Sequence, residues 1–394
     1  MPDPFAEDPA LIHCVDPAGR PGTHVIAIGI GHYDHLPGGG GTPTQHHLNL
    51  KQITSPPVSA RKVASWFIDN FDCPDRPLAS VSLVLSEAVP APIKNGKTDA
   101  SYSVPTGTTL EVKNALSAWI GRAEANPDSR IILYFSGHGL ASGMDNLYLL
   151  RDYGKDPQDP LSGALNYQRF LTGLATRKPS NQFMLFDACR SADPAAALNS
   201  TGGQGIFFAD PAGRLGIVQS MQQCPVFSTE VDRKAFGRPN EESLCARAFI
   251  RAMSGACSKR VGNSWYIMTD RVVEGLSDFQ NRELMQAGAS LQQSADTNRY
   301  AKIPLRRLPG VPSIPVFIRL ANQNLAPNVR IKAVRANISR LISDPSSAGW
   351  KQQEVWETAL EVGEYSFEAE PLAGAGAPIV KSDTVAPNLL EVEL

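Results

Sequence analysis

The 394-residue chain lacks the marks of several large protein classes. No apolar run approaches the ~20 residues that a membrane span needs. The amino-terminal MPDPFAEDPALIH has neither the basic flank nor the apolar stretch of an export signal. These absences predict a cytoplasmic protein with no membrane partner. The six cysteines (Cys14, Cys73, Cys189, Cys224, Cys245 and Cys257) include no CxxC pair. This argues against a zinc knuckle and, in a chain this long, against a disulfide framework. Neither sign of charge dominates, since 37 Lys plus Arg against 39 Asp plus Glu leave a net −2. No run concentrates one sign, so nucleic acid is not expected as a partner. A phosphate loop is missing, and Gly29-Ile30-Gly31-His32-Tyr33-Asp34 places Asp where a dinucleotide fingerprint needs its third glycine. Six of the seven histidines (His13, His24, His32, His35, His46 and His47) fall in the first 47 residues. They have no fixed spacing and no neighbouring cysteine, so they are read as loop and surface residues and no metal is expected.

What is present is an ordinary globular composition, 42% hydrophobic and 19% charged, with 32 Gly and 31 Pro that call for many connecting loops. From residue 24, apolar runs alternate with helical patterns, the arrangement of a mostly parallel sheet with helices on both faces. HVIAIGI at 24–30, ASVSLVL at 79–85, RIILYF at 130–135 and QFMLFD at 182–187 read as strands. Between them, Ala60, Val63, Ala64 and Phe67 recur at helical spacing. Thr108 with Glu111 opens a helix whose stripe is Val112, Ala115, Leu116, Trp119 and Ile120. A third helix carries Tyr167, Phe170, Leu171 and Leu174. After Arg190 the segment SADPAAALNSTGGQG follows neither period and reads as an exposed linker. CPVFSTE at 224–230 is another strand, followed by helices around Cys245–Met253 and Val272–Phe279. VFIRL at 316–320 is expected to complete this unit as an edge strand, because Pro315 precedes it. Beyond 325, a helical VRANISRLI and the partly alternating WETALEV and EYSFEAE suggest a small appended module.

Two of these strands run into reactive residues flanked by small ones. RIILYF leads into Ser136-Gly137-His138-Gly139, and QFMLFD leads into Ala188-Cys189-Arg190-Ser191. Sites in open parallel sheets form at the carboxyl ends of strands, so His138 and Cys189 are expected on one rim. A thiol attacks only as thiolate; an imidazole beside it takes its proton and can later protonate a leaving amine. The glycines around His138 let a substrate backbone approach, and the amides of Gly139 and Cys189 are expected to face a developing oxyanion. A single Cys or His at a strand end is more often structural. Here the two occur together, 51 residues apart.

YFSGHG at 134–139, DACRS at 187–191 and GIGHYDHLP at 29–37 resemble the signature segments of the caspase-like cysteine peptidases, which include metacaspases and bacterial orthocaspases. The resemblance extends over about 24–320 and is strongest up to Ser191. It implies a caspase–hemoglobinase-like, three-layer α/β sandwich in which His138 is the general base and Cys189 the nucleophile. On this reading residues 1–22 are a lead segment and 23–320 the peptidase domain. A large-subunit part spans 23–191, a linker 192–223 and a small-subunit part 224–320, with 325–394 an appended module that has no counterpart in the family. Metacaspases carry Asp two positions before the nucleophile, lining the pocket for the substrate side chain before the scissile bond, and this chain has Asp187 there. A carboxylate in a dehydrated pocket favours Arg, or Lys, and repels acidic side chains; the bland alternative is that Asp187 ends its strand and faces water. The further Asp usual at the start of the first helix is replaced near Ser59, so the pocket is expected either to borrow Glu230 or Asp232 or to be less acidic than in those relatives. Cleavage after basic residues would make Arg190, Arg214, Arg233, Lys234 and Arg238 points of self-processing in a zymogen. No cofactor is required; calcium activation is implied by the resemblance alone, since no acidic loop has calcium-ligand spacing. The expected partners are a protein or peptide substrate and an upstream activator protein. The rival readings are a catalytically inactive scaffold of the same fold and a thiol esterase or transferase.

Overall fold

The computed structural model describes residues 8–94, 101–142, 145–192, 202–207, 221–230, 238–288, 293–297, 301–372 and 376–394. In chain order the first part runs β1 (Leu11–Cys14), β2 (Thr23–Ile30), α1 (Ser55–Asn70), β3 (Leu78–Ser86), β4 (Ile93–Lys94), β5 (Ser101–Tyr102) and α2 (Thr109–Ala123). Then come β6 (Arg130–Gly137), β7 (Gly139–Ser142), β8 (Asp145–Leu149), β9 (Ala164–Asn166), α3 (Tyr167–Leu174), β10 (Asn181–Ala188), β11 (Ser191–Ala192) and β12 (Gln222–Phe227). The unit continues through α4 (Leu244–Arg251), β13 (Ser258–Val261), β14 (Ser264–Met268), α5 (Thr269–Gln286) and β15 (Pro304–Leu308).

The central sheet has the order β1-β3-β2-β6-β10-β12, parallel throughout except for β1, which runs antiparallel to β3. Its inner strands are continuous apolar runs because helices cover both faces. Successive side chains point to opposite faces, so β6 sends Ile131, Leu133 and Phe135 into one core and Ile132 and Tyr134 into the other. The first core is closed by α2 and α3, and the second by α1, α4 and α5. The capping box opening α2 is present: Thr108 Oγ accepts from the Glu111 amide, and the Glu111 carboxylate accepts from the Thr108 N–H at 3.0 Å. One turn before its end, Trp119 is fully buried and donates to the His24 carbonyl at 3.1 Å.

The second part consists of β16 (Ser313–Arg319), β17 (Val329–Arg335), β18 (Ile338–Ser343), β19 (Trp356–Glu361), β20 (Gly363–Pro371), β21 (Ile379–Val385) and β22 (Leu390–Glu393). Two sheets, β19-β16-β22 and β18-β17-β20-β21, enclose a separate core that includes Val316, Ile318, Ile331, Phe367 and Val385. This module is fastened to the helices beneath it. Arg251 of α4 pairs with Glu357 at 2.8 Å, Arg282 of α5 stacks on Phe317 and pairs with Glu391, and Asn388 donates to Asp278 at 3.0 Å.

Four details depart from the sequence reading. VFIRL does not extend the first unit: as β16 it is the central strand of a sheet in the second. Pro315 is therefore not on an edge strand; it lies one residue before pairing with β22 begins at Val316, where its missing N–H costs that ladder nothing. VRANISRLI is a β17–β18 hairpin rather than a helix. Ala336 and Asn337, both at positive φ (48° and 67°), form its two-residue turn, and Ala at such a position hides the turn signal. The lead segment 1–22 contributes β1 to the central sheet. Within the expected linker, Gln204 bridges to Leu165 and Phe207 is buried against Phe170; residues 193–201 and 208–220 lie outside the described ones.

His24, on β2, is also no surface residue: it is buried with its Nδ1 2.9 Å from Ser80 Oγ. Burial, with a smaller contribution from Arg122, depresses its pKa from 6.5 to about 4. The unfolded chain therefore takes up this proton first as pH falls, and stability present above pH 6.5 is lost down to about pH 4. Urea unfolding at pH 7.5 and pH 4 is expected to differ by about 3 kcal/mol less in His24→Asn than in the wild type. An equal difference in both proteins would show that His24 carries none of the acid sensitivity.

Candidate functional site

The site is built by register. β6 and β10 are parallel neighbours paired from Arg130↔Asn181 to Gly137↔Ala188. The next residue on each is His138 and Cys189, so the imidazole and the thiol leave adjacent strands at the same level, with backbones about 4.8 Å apart. Close packing continues beyond the strand ends: a Cβ on Gly139 would lie 2.4 Å from the Cys189 carbonyl and 3.1 Å from Ala188 Cβ. Only glycine fits there. Gly139 pairs with Tyr148 across β7 and β8, and the flanking bond runs from the Leu149 N–H to the His138 carbonyl at 3.0 Å. This makes Gly139 a non-hydrogen-bonded position of that ladder, so its own N–H turns away from β8 toward the Cys189 side.

His138 is held from two directions. Its ring packs on Tyr33 with centroids 5.1 Å apart, and its backbone N–H donates to the Tyr33 hydroxyl at 2.8 Å. That hydroxyl in turn donates to the Ile30 carbonyl at 3.0 Å. On the other side, His138 Nε2 lies 2.7 Å from the Lys51 carbonyl oxygen. A carbonyl only accepts, so the proton of the neutral imidazole is on Nε2, leaving Nδ1 as the basic nitrogen. Burial lowers the His138 pKa and the Lys51 carbonyl partly offsets this, so the ring is a neutral base at pH 7. Cys189 is half-buried and lies near Tyr33, whose pKa burial alone already pushes far above the ordinary phenol range. Cys73, Cys224, Cys245 and Cys257 are buried, and burial pushes Cys14, Cys224 (to about 11), Cys245 and Cys257 up.

Asp187 does not face open water: it is 3% exposed. One carboxylate oxygen accepts from Tyr134 Oη at 2.7 Å, from Ser136 Oγ at 3.4 Å and from Ser243 Oγ. Burial raises its pKa and hydroxyl donors, Ser243 first, pull it back; among the described residues these hydroxyls are its hydrogen-bond partners. Ser243 caps α4 by accepting from the Ala246 N–H at 3.0 Å, and its own N–H donates to Ser59 Oγ at 2.9 Å. Ser59, the residue standing where the second acid was expected, thus reaches Asp187 through Ser243. Glu230 is exposed beyond the end of β12, on the same rim but apart from the carboxylate of Asp187. Asp232 lies outside the described residues.

Arg190 is not an accessible processing point. It is 5% exposed, ion-paired with Asp296 at 2.7 Å, and stacked over Phe227 at 4.1 Å. It ties the turn after Cys189 to β12 and to the 293–297 segment that bridges Phe227. Of the other expected points, Arg238 is exposed, while Arg214, Arg233 and Lys234 fall outside the described residues. Sequence reasoning missed Tyr33, the Lys51 carbonyl and Ser243. A backbone carbonyl leaves no trace in composition, and Ser243 was legible only as a residue that favours helix starts.

Among the described residues no group of three or more His, Cys, Asp or Glu is placed to hold a metal ion, and no helix is long and apolar enough to cross a membrane. Compared with known proteins, the chain is 23% identical over 290 residues to the uncharacterized protein y4kE of Sinorhizobium fredii (strain NBRC 101917 / NGR234). That match covers 67% of this chain and 80% of the relative. A crystal structure of caspase-1 from Spodoptera frugiperda aligns with a TM-score of 0.37 and 10% identity, over 73% of this chain and 89% of that one. The family model described as the caspase domain matches residues 98–302, just over half of the chain and inclusive of both His138 and Cys189. The chain belongs to the caspase-domain family of cysteine peptidases.

Proposed function

We propose that the protein is a cysteine endopeptidase acting through a His138–Cys189 dyad and cutting after basic residues. The observation that carries this reading is the imidazole proton held on the Lys51 carbonyl, which leaves Nδ1 as the base at the strand end beside Cys189. His138 Nδ1 takes the thiol proton, and the thiolate attacks the scissile carbonyl carbon. The resulting oxyanion is met by the backbone N–H groups of Gly139 and Cys189. The imidazolium gives its proton to the leaving amine as the C–N bond breaks, producing a thioester. Water, deprotonated by the same nitrogen, then hydrolyses the thioester and returns the thiol. Preference for Arg, or Lys, rests on Asp187. It is a buried carboxylate two residues before the nucleophile, surrounded by hydroxyls and, among the described residues, with no cationic partner. A substrate guanidinium reaching this carboxylate would supply a countercharge, and an acidic side chain would add a second negative charge to a dehydrated site. Self-processing after Arg238, or in the segments that hold Arg214, Arg233 and Lys234, follows from the same preference.

Three outcomes are expected. In a fluorogenic peptide panel, Arg-ending substrates turn over at least about 100-fold faster than Asp-ending ones, the ~3 kcal/mol that a charge-assisted contact contributes; faster Asp-ending cleavage would reverse the assignment. Gly139→Ala forces its Cβ onto the Cys189 carbonyl and is expected to lower kcat about 100-fold while the far-UV spectrum stays native; wild-type kcat would remove Gly139 from the site. Intact-mass analysis is expected to find fragments in the wild type and a single full-length species in Cys189→Ala. Identical intact masses would end the self-processing proposal without touching the dyad.

A further inference from the structure

The cradle of His138 is assembled from two stretches of the β2–α1 connection that are not adjacent in sequence. Tyr33 supplies the ring and hydroxyl, and Lys51 supplies the carbonyl. One side chain fastens these stretches together. Gln52 Oε1 accepts from the Tyr33 N–H at 2.8 Å, and its Nε2 donates to the carbonyls of Tyr33 at 2.9 Å, Pro37 at 3.2 Å and Leu36 at 3.4 Å. The amide thus uses its acceptor and its donors on backbone groups of 33–37 while sitting next in sequence to Lys51. The same connection is anchored independently at its far end by the Ile53 N–H on the Gly31 carbonyl at 3.0 Å. The Gln52 contacts are therefore not what keeps α1 in place.

We infer that Gln52 is a positioning residue for the peptidase chemistry: by clamping the Tyr33 turn to the Lys51 strap, it fixes the carbonyl that orients the imidazole of His138. Among the described residues the hydrogen bonds of Gln52 all go to backbone groups of 33–37, and it is not a catalytic residue. The inference rests on the dyad proposed above. The physical consequence is specific. The Lys51 carbonyl selects the Nε2 tautomer and stabilises the imidazolium that pairs with the thiolate. If the strap drifts, the imidazolium loses its acceptor, the ion pair becomes less favourable, and the Cys189 thiol holds its proton to higher pH.

The test uses full-length wild type, Gln52→Ala, Gln52→Met and His138→Ala, each checked by thermal unfolding. Two readouts are taken: the pH dependence of Cys189 alkylation by iodoacetamide, with the modified residue mapped, and kcat with KM for an Arg-ending peptide. The wild type is read first. If its alkylation does not depend on His138, the dyad itself fails and the inference falls with it. With the dyad intact, both Gln52 variants are expected to shift the apparent thiol pKa upward and to lower kcat about 10- to 100-fold with KM within about twofold. Gln52→Met keeps the side-chain length without the hydrogen bonds, so it separates loss of the clamp from loss of volume. Wild-type alkylation profiles and kcat in folded Gln52 variants would overturn the inference. So would failure of both variants to fold, which would make Gln52 a tie for the whole chain rather than for the imidazole.

Discussion

The parallel pairing of β6 with β10 is the constraint on which the rest of the site depends. Once Gly137 lies opposite Ala188, the next residues of the two strands are His138 and Cys189, so the imidazole and the thiol start from the same level of adjacent strands. That register is held by the two hydrophobic cores. Shifting it by one residue would turn Leu133 and Phe135 out of one core and Ile132 and Tyr134 out of the other. The scaffold therefore resists loss of the pairing with the energy of its whole interior rather than with contacts local to the site.

Around that fixed pair the chain adds polar detail through loops and helix ends. The β2–α1 connection wraps the imidazole, with a phenol hydroxyl on its backbone and a carbonyl on its outer nitrogen. The N-terminus of α4 closes over Asp187 through its capping serine. Arg190 locks the far side of the nucleophile turn against Phe227 and Asp296. Each of these groups is satisfied by several partners, as buried polar groups in a low-dielectric interior require. Asp187 stands out because its partners among the described residues are all hydroxyls. The β-sandwich module reaches this arrangement indirectly, through Arg251 on α4 and Arg282 and Asp278 on α5.

How much of this was legible in the sequence follows from the physics of each element. The buried parallel strands announce themselves as unbroken apolar runs, and the capping box of Thr108 and Glu111 marks the start of α2. The alternation of strand and helix therefore identified the sheet and put His138 and Cys189 on one rim. The second module was harder to read. Its strands are half-exposed, β16 contains Pro315, and the Ala336-Asn337 turn lacks glycine, so in the sequence VFIRL reads as part of the first unit and the hairpin reads as a helix. The groups that hold His138 were invisible for another reason. Lys51 contributes a backbone atom that every residue has, and Tyr33 and Gln52 act across sequence gaps that no period encodes. Asp187 is marked in the sequence by its place before Cys189, whereas its enclosure by Tyr134, Ser136 and Ser243 depends on tertiary packing alone.

The central claim is that His138 activates Cys189 toward a substrate carrying a basic side chain. The most direct measurement is labelling of the folded protein with an Arg-chloromethylketone, followed by mass mapping of the adduct in the wild type and in His138→Ala. The account predicts a single adduct on Cys189 that forms rapidly in the wild type and is nearly abolished without the imidazole. Labelling spread over other cysteines, or equally fast labelling of Cys189 in His138→Ala, would contradict it.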